Sequence, residues 1–298
     1  MAAALTILID GLTYASWLFI VALGLTLVFG VLKILNMAHG SFYAIGAYMA
    51  ASFVSWGAAL KWAPGFTLVA MLLAAVAVAV ILAPLTERTL LRSFYGRDEV
   101  LLVLVTYAMF LILEDATKLI WGATPFYVSE PYGLFGNVDI GTQSYVGYDF
   151  ALVGLAMVVG LIVWWGLNRT RTGKIVLAVI HSPEVASSMG VNVSRVYMLA
   201  FTVGVLLAAL GGAFTAPMIS VQPGISVGVI IVSFAVVIIG GLGSIEGAAI
   251  GALIVGLARS MAVHLAPVAE LFSVYLVMAV VLAFRPEGLF QRIQARKI

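Results

Sequence analysis

Charged side chains are scarce in this chain of 298 residues. Asp, Glu, Lys and Arg make up only 9% of it, against about 25% in a typical soluble domain. Hydrophobic residues make up 63%, and the mean hydropathy is +1.17. Such a composition cannot cover a soluble surface and predicts a protein that crosses the lipid bilayer several times. The net charge of +2 is too small to indicate a nucleic acid partner.

Cysteine is absent altogether, which excludes disulfides and thiolate metal sites. His39 has no second His and no carboxylate at a ligand spacing, so we expect no metal site there. Residues 1–6 lack the positively charged start of a signal peptide, and we therefore expect the first apolar run to be retained as a span.

Motifs for catalysis and nucleotide binding are also missing. There is no His-Glu-x-x-His sequence and no arrangement of Ser, His and Asp that suggests a triad. The pair Gly173-Lys174 is followed by Ile175 and lacks the upstream glycine of a phosphate loop. We therefore expect no catalytic residue and no cofactor, and if ATP drives this protein, another chain binds it.

Long apolar runs are abundant. Nine of them approach the roughly 20 residues that a helix needs to cross a bilayer. They predict an all-α polytopic membrane protein, a bundle of about nine transmembrane helices. The runs cover residues 12–35, 41–60, 66–84, 100–121, 150–167, 196–219, 225–242, 247–265 and 271–284.

Basic residues fall into three clusters that orient these spans. By the excess of Lys and Arg in cytoplasmic loops, all three are expected in the cytoplasm, which puts the N-terminus outside and the C-terminus inside. The loop 122–149 contains no Lys or Arg and is expected outside, whereas 168–195 forms one long cytoplasmic loop. We expect residues 1–298 to form a single transmembrane domain. The clusters are Arg88, Arg92 and Arg97; Arg169, Arg171, Lys174 and Arg195; and Arg285, Arg292, Arg296 and Lys297.

A short helix is predicted at 183–189, inside the 168–195 loop. Ser182 can cap its first turn, Pro183 suits the first helical position, and Glu184 complements the positive helix end. Gly190 supplies the left-handed residue that ends it. Two turns are too few for a helix to be stable alone in water, so its surface is expected to rest on something else. An ordinary helix at the membrane interface is the alternative.

Polar residues interrupt the apolar pattern between the first two spans, at Asn36, His39 and Ser41. Non-helical backbone at membrane depth is tolerated only inside protein or along a cavity, and broken helices often form solute sites in transporters. We therefore predict at least one broken helix and place Asn36, His39 and Ser41, together with Tyr43, on a substrate path. The alternative is a tight turn at the membrane interface with Asn36 and His39 solvated.

A second interruption carries three glycines spaced by four, Gly243, Gly247 and Gly251. A helix through them would present a groove that lets a neighbouring backbone approach closely, so we predict a helix-packing role. Glu246, at the mouth of that groove, is expected at the membrane interface.

Few charges fall inside the predicted spans. Glu114 and Lys118 are four residues apart with the acid first, which favours an ion pair on one helix face. Arg259 either extends toward the membrane interface or pairs with a carboxylate such as Glu270, and the sequence leaves both open.

Three segments carry a family resemblance that runs over essentially the whole chain. Together they resemble the permease subunit of branched-chain amino acid-type ABC importers. The segments are Leu35-Asn36-Met37-Ala38-His39-Gly40-Ser41-Phe42 with Gly46-Ala47-Tyr48, Gly240-Gly241-Leu242-Gly243-Ser244-Ile245-Glu246-Gly247-Ala248, and Arg285-Pro286-Glu287-Gly288-Leu289-Phe290.

The 168–195 loop also resembles the cytoplasmic signature of ABC importer permeases, with a Glu-x-Ala-x-x-x-Gly spacing. In that family the loop docks into a cleft of the ATPase, so the resemblance implies a coupling role for this segment. The residues concerned are Ser182, Pro183, Glu184, Ala186, Met189 and Gly190.

The resemblance further implies partners and a location. They are a second homologous permease subunit, two ATP-binding subunits and a periplasmic or surface solute-binding protein, in a bacterial cytoplasmic (inner) membrane. The expected cargo is a branched-chain or other hydrophobic amino acid, or a related small carboxylate such as an aromatic acid. Urea and short amides are alternatives within this class, and an ion-coupled secondary transporter with a broken-helix site is the alternative outside it.

Overall fold

The computed structural model describes residues 2–141 and 143–290. These residues form eleven α-helices and one short β-hairpin. The helices are α1 (Ala2–Leu32), α2 (His39–Ala59), α3 (Phe66–Thr89), α4 (Glu99–Trp121), α5 (Gly147–Arg169), α6 (Arg171–His181), α7 (Pro183–Ser188), α8 (Val193–Thr215), α9 (Ile225–Gly240), α10 (Ile245–Leu265) and α11 (Glu270–Phe284); the antiparallel strands are β1 (Asn137–Ile140) and β2 (Gln143–Val146).

The helices confirm the fold class at the level of an α-helical polytopic membrane protein. A helix occupies each of the nine predicted spans, with α6 and α7 as additional helices. Within the described residues, α1, α3, α4, α5, α8 and α10 are long and apolar enough to cross a membrane. Helices α9 and α11 are apolar but have only 16 and 15 residues. The number of nine spans therefore remains a prediction.

Helix α8 lies at the centre, in contact with α1, α2 and α3, while α1 also makes an extensive contact with α10. Small residues bring these backbones together. A Cβ built on Gly46 of α2 would lie 2.5 Å from the Ala209 Cα of α8, and one on Gly256 of α10 would lie 2.5 Å from the Gly11 oxygen of α1. Apolar helices rely on such close packing because they gain little from leaving lipid. Neither contact was predicted from the sequence.

The two ends of the bundle differ in charge. One end, which we call the basic end, gathers the end of α1, the segment after α3, the starts of α4 and α8, and helices α6 and α7 around a shared apolar cluster. The helix ends that meet there carry Arg88, Arg169 and Arg195. The hairpin β1–β2 lies between α4 and α5, at what we call the hairpin end. Arg292, Arg296 and Lys297 lie outside the described residues.

Both long connecting segments contain more regular structure than their sequences predict. The 168–195 segment holds two helices, α6 and α7, whereas only the second was predicted. The 122–149 segment contains the hairpin, and α5 already begins at Gly147, three residues before the predicted span.

Candidate functional site

The chain breaks between α1 and α2 and turns back into the bundle. Nε2 of His39, the first residue of α2, lies 2.9 Å from the Val21 carbonyl oxygen of α1. Val21 precedes the last residue of α1 by eleven positions. At 1.5 Å per residue, α2 therefore begins about 16 Å back along α1. Residues 33–38 form the non-helical link, which is a broken segment of the kind predicted from the sequence.

The polar residues of this break are buried. Asn36 is 1% exposed, and His39 and Ser41 are 0% exposed, so the alternative of a solvated interfacial turn is wrong. The Asn36 side-chain oxygen accepts from the Ala38 amide at 3.1 Å, and the Ser41 hydroxyl lies 3.5 Å from the Phe110 carbonyl oxygen. Asn36 Nδ2 and His39 Nδ1 have no hydrogen-bond partner among the described residues. The interior of this break is thus polar and incompletely paired.

A second non-helical segment, residues 219–224, leads into α9. Glu114 of α4 accepts a hydrogen bond from the Gly224 amide at 2.7 Å and another from the Ser226 hydroxyl. It therefore caps the N-terminus of α9, whose free N–H groups and dipole favour a carboxylate. The predicted ion pair between Glu114 and Lys118 is wrong, because Lys118 pairs with the exposed Asp115 at 3.2 Å while Glu114 points toward α9.

A cavity of about 310 Å³ opens at the hairpin end. Of the four residues predicted for the substrate path, Tyr43 lines this cavity, and its hydroxyl lies 2.5 Å from the Thr215 hydroxyl. The lining consists of Asp10, Thr13, Tyr14, Trp17, Tyr43, Tyr132, Asp149, Thr215, Met218, Ile219 and Arg259. Asn36, His39 and Ser41 lie deeper in the bundle and do not line it.

Charged groups in this cavity differ in how they are paired. Arg259 binds Glu270 at 2.5 Å and lies over the ring of Tyr14 at 4.1 Å, which resolves the choice that the sequence left open. The Tyr132 hydroxyl lies 3.5 Å from an Asp149 carboxylate oxygen. Burial, reinforced by the negative charge of Asp149, raises the pKa of Tyr132, so its hydroxyl remains a donor.

At the basic end, α6 and α7 form a capped helix pair. Thr170 accepts from the Gly173 amide at 3.0 Å and caps α6. Ser182 accepts from the Val185 amide at 3.3 Å and caps α7, and Gly190 follows α7 in the left-handed conformation with φ +86°. The predicted signals therefore act as expected at both ends of α7.

Helix α7 has one buried and one exposed face. Ala186 is buried in the apolar cluster that α7 shares with α6 and α8. Val185 and Met189 are 59% and 81% exposed, and Glu184 is exposed beside them. The side chains that face away from the bundle are therefore partly apolar.

The three spaced glycines do not lie on one helix. Helix α10 begins at Ile245, after the N-cap Ser244, so the prediction of a helix through Gly243 is wrong. Gly243 instead adopts φ +82°, a conformation that glycine tolerates, in the turn between α9 and α10. Gly247 and Gly251 lie on α10, and a Cβ on Gly251 would be 2.5 Å from the Val236 oxygen of α9. Glu246 is exposed.

All three segments that carry the family resemblance contact α9. Gly40 of the first segment packs against Ile230, with a built Cβ only 2.9 Å from the Ile230 Cβ. The second segment contains the last residue of α9 and the turn that follows. From the third segment, the amides of Leu289 and Phe290 donate to the Ile239 and Gly240 oxygens at 2.9 and 3.0 Å. A single short helix thus joins segments that are far apart in the sequence.

Comparison with known proteins agrees with this architecture. A family model described as "Branched-chain amino acid transport system / permease component" matches residues 7–284. No solved structure matches the chain.

Several curated proteins are similar over most of their length. The high-affinity branched-chain amino acid transport system permease protein BraD of Pseudomonas aeruginosa is 28% identical over 98% of this chain and 97% of that protein. The corresponding LivH protein of Salmonella typhimurium is 25% identical over 97% of this chain and 96% of its own. A probable LivH permease of Methanocaldococcus jannaschii is 27% identical over 86% and 80%.

Proposed function

Because this chain belongs to the branched-chain amino acid transport permease family, and so is the multi-pass membrane subunit of an ABC importer, we propose that it carries branched-chain or other hydrophobic amino acids. The observation that supports this cargo is the similarity, over nearly the whole chain, to proteins named for branched-chain amino acid transport. Because the family consists of ABC importer permeases, the ion-coupled secondary transporter is no longer an alternative. Aromatic acids, urea and short amides are the competing cargoes.

In this proposal the basic end faces the cytoplasm and the hairpin end faces outward, in a bacterial cytoplasmic membrane. The excess of Arg at the basic end supports this orientation. Nine spans, with the N-terminus outside and the C-terminus inside, make residues 1–298 a single transmembrane domain. A solute-binding protein delivers cargo to the hairpin end, a second homologous permease subunit completes the path, and two ATP-binding subunits dock at the basic end.

Helix α7 is the proposed contact with the ATPase. Its caps at Ser182 and Gly190 fix a helix that is too short to persist alone, and its buried Ala186 attaches it to α6 and α8. Pro183, Glu184 and Met189 stay exposed for the partner. A rigid element that is held on one face and exposed on the other can pass a movement of the ATPase to the bundle.

The break around α2 is the proposed solute path. Tyr43 already lines the cavity, while Asn36, His39 and Ser41 lie deeper in the bundle, and Asn36 Nδ2 and His39 Nδ1 lack hydrogen-bond partners among the described residues. Ser41→Cys tests this, since the chain has no cysteine of its own. A membrane-impermeant thiol reagent is expected to modify Cys at this position to different extents in the ATP-bound and nucleotide-free complexes. Equal labelling in both states would count against a gated path.

The cargo itself is tested by transport. The complete importer, with its binding protein, is reconstituted in vesicles and supplied with radiolabelled leucine, valine, urea or an aromatic acid. ATP-dependent accumulation of leucine and valine that persists when ionophores collapse ion gradients is the expected result. Vesicles without nucleotide are the control. Accumulation of urea or the aromatic acid alone would refute the proposed cargo.

A further inference from the structure

The cavity at the hairpin end contains a carboxylate without a cationic partner. Asp149 forms no ion pair within 4 Å with any residue that the structure describes, and its one hydrogen bond, from Tyr132, is long at 3.5 Å. Asp149 is only partly exposed. A partly desolvated carboxylate with so little compensation favours binding a cation.

Of the other charges of this cavity, Arg259 has an ionic partner, whereas Asp10 has one only when His264 is protonated. Arg259 is engaged by Glu270, and Asp10 lies 3.3 Å from His264. Asp10 also adds to the negative potential at Asp149, because the two carboxylates repel each other. The cavity as a whole therefore attracts a positive group to Asp149 more strongly than it attracts a negative group to Arg259.

The remaining wall is aromatic and apolar. The partly buried side chains of Tyr14, Trp17 and Met218 line the same space. Aromatic faces attract ammonium groups and also pack against alkyl chains. At about 310 Å³ the cavity lies at the lower end of the range for small-molecule sites, roughly 300–1,000 Å³. Its size and its lining therefore fit a small molecule with one ammonium group and a short alkyl chain.

We propose that this cavity binds the α-ammonium group of the transported amino acid at Asp149, with the alkyl side chain against Tyr14, Trp17 and Met218. The assignment rests on the proposed cargo and deepens it, because it names the group that the permease itself recognises. The carboxylate of the amino acid contributes little to binding, since Arg259 is already engaged by Glu270. Molecules that keep the amine and lose the carboxylate should therefore still bind.

The test measures binding without transport. Ile219→Cys places one thiol at the cavity, where the native side chain is 36% exposed. The complete permease and ATPase complex in lipid nanodiscs is treated with a membrane-impermeant thiol reagent, without the binding protein. The probes are L-leucine, 3-methylbutylamine, which keeps the ammonium group, and 4-methylpentanoate, which keeps the carboxylate.

L-leucine and 3-methylbutylamine should slow labelling about tenfold at ten times their dissociation constants, by mass action. 4-Methylpentanoate should not slow it at the same concentrations. Asp149→Asn in this background should require roughly tenfold more leucine for the same protection, because a charge-assisted hydrogen bond is lost. Asp139→Asn, the same change on the exposed strand β1, is the matched control and should leave protection unchanged.

Unchanged protection in Asp149→Asn, or protection by 4-methylpentanoate equal to that by the amine, would overturn the proposal. The labelling rate without ligand shows whether the cavity survives the substitution. If Asp149→Asn does not accumulate, Asp149→Glu replaces it and should retain the preference for the amine. This outcome is separate from that of the cargo test. If the native importer takes up leucine but Asp149→Asn does not change protection by leucine, the proposed function stands and only this site is refuted.

Discussion

Helices α7 and α9 both begin with a capped N-terminus, but the residue that caps α7 is near in the sequence and the residue that caps α9 is distant. Ser182 caps α7 from three residues away along the chain. Glu114 caps α9 from 110 residues away and from a different helix. The first cap stabilises a local helix at the basic end, whereas the second also fixes α4 to α9 inside the bundle. A helix cap therefore stabilises a single helix when its acceptor is local, and also stabilises the packing of two helices when its acceptor comes from another helix.

The environments explain the difference. At an exposed helix end, water satisfies whatever amides the cap leaves free, so a local cap contributes only about 1 kcal/mol. Glu114 and Ser226 are buried in the bundle, where no water substitutes, and a polar group left unpaired there bears its full desolvation cost. The comparison predicts a larger loss of stability for substitutions at Glu114 than at Ser182. Four variants follow, from the largest expected effect to the smallest.

Glu114→Ala should have the largest effect. It leaves the Gly224 amide and the Ser226 hydroxyl without their acceptor, so we expect a loss of about 2–4 kcal/mol of stability. Thermal unfolding of the purified complex measures it. Asp115→Ala is the control on the same helix, since this side chain is 74% exposed, and should change stability by less than about 0.5 kcal/mol. Equal losses of stability in Glu114→Ala and Asp115→Ala would contradict a capping role for Glu114.

Glu114→Gln separates charge from hydrogen bonding at the same site. Gln keeps one oxygen for the Gly224 amide but removes the negative charge that faces the α9 dipole. We expect a loss of about 1–2 kcal/mol, between wild type and Glu114→Ala, in the same unfolding assay. Stability equal to wild type would show that the charge contributes nothing to this cap.

Gly190→Val alters the other end of α7. Its φ of +86° is disfavoured for a β-branched residue by about 1–2 kcal/mol. Faster amide exchange within α7 and weaker stimulation of ATP hydrolysis by the loaded binding protein are expected, with little change in global unfolding. Gly190→Asn tolerates the left-handed conformation better and is the matched control. Normal stimulation in Gly190→Val would argue against coupling through α7.

Ser182→Ala should have the smallest effect. The lost cap destabilises α7 by about 1 kcal/mol, which amide exchange within 183–188 can detect. Ser182→Asp restores an acceptor at the same position and should recover most of the protection. If Asp does not rescue what Ala loses, the Ser182 side chain acts by something other than capping.

The same contrast shows which features the sequence could predict. The ends of α7 were predictable because its signals, Ser182, Pro183 and Gly190, all lie within a few residues of the helix they define. The cap on α9 was not predictable, because no local rule connects residue 114 with residue 224. The spacing rule for ion pairs instead suggested Lys118, whose partner is Asp115. Helix spacing identifies possible neighbours but cannot show which face meets another helix.

The candidate path illustrates a similar limit. The sequence indicated a polar break at residues 35–41, and the structure shows that this break is buried. The cavity at the hairpin end was missed, because its charged residues come from α1, α5 and α10, which are distant in the sequence. From the sequence, Arg259 was considered only for a pairing with Glu270 or an extension toward the interface, and Asp149 was only the last residue of the predicted outer loop 122–149.

The pairing at the other end of α9 has a consequence for the order in which the protein is made. The last carbonyl groups of α9, at Ile239 and Gly240, accept from the amides of Leu289 and Phe290. Synthesis proceeds from the N-terminus, so these acceptors emerge from the ribosome about 50 residues before their donors. Both α10 and α11 must be made in that interval. The C-terminal end of α9 therefore stays open during membrane insertion and closes only after the two helices that follow it.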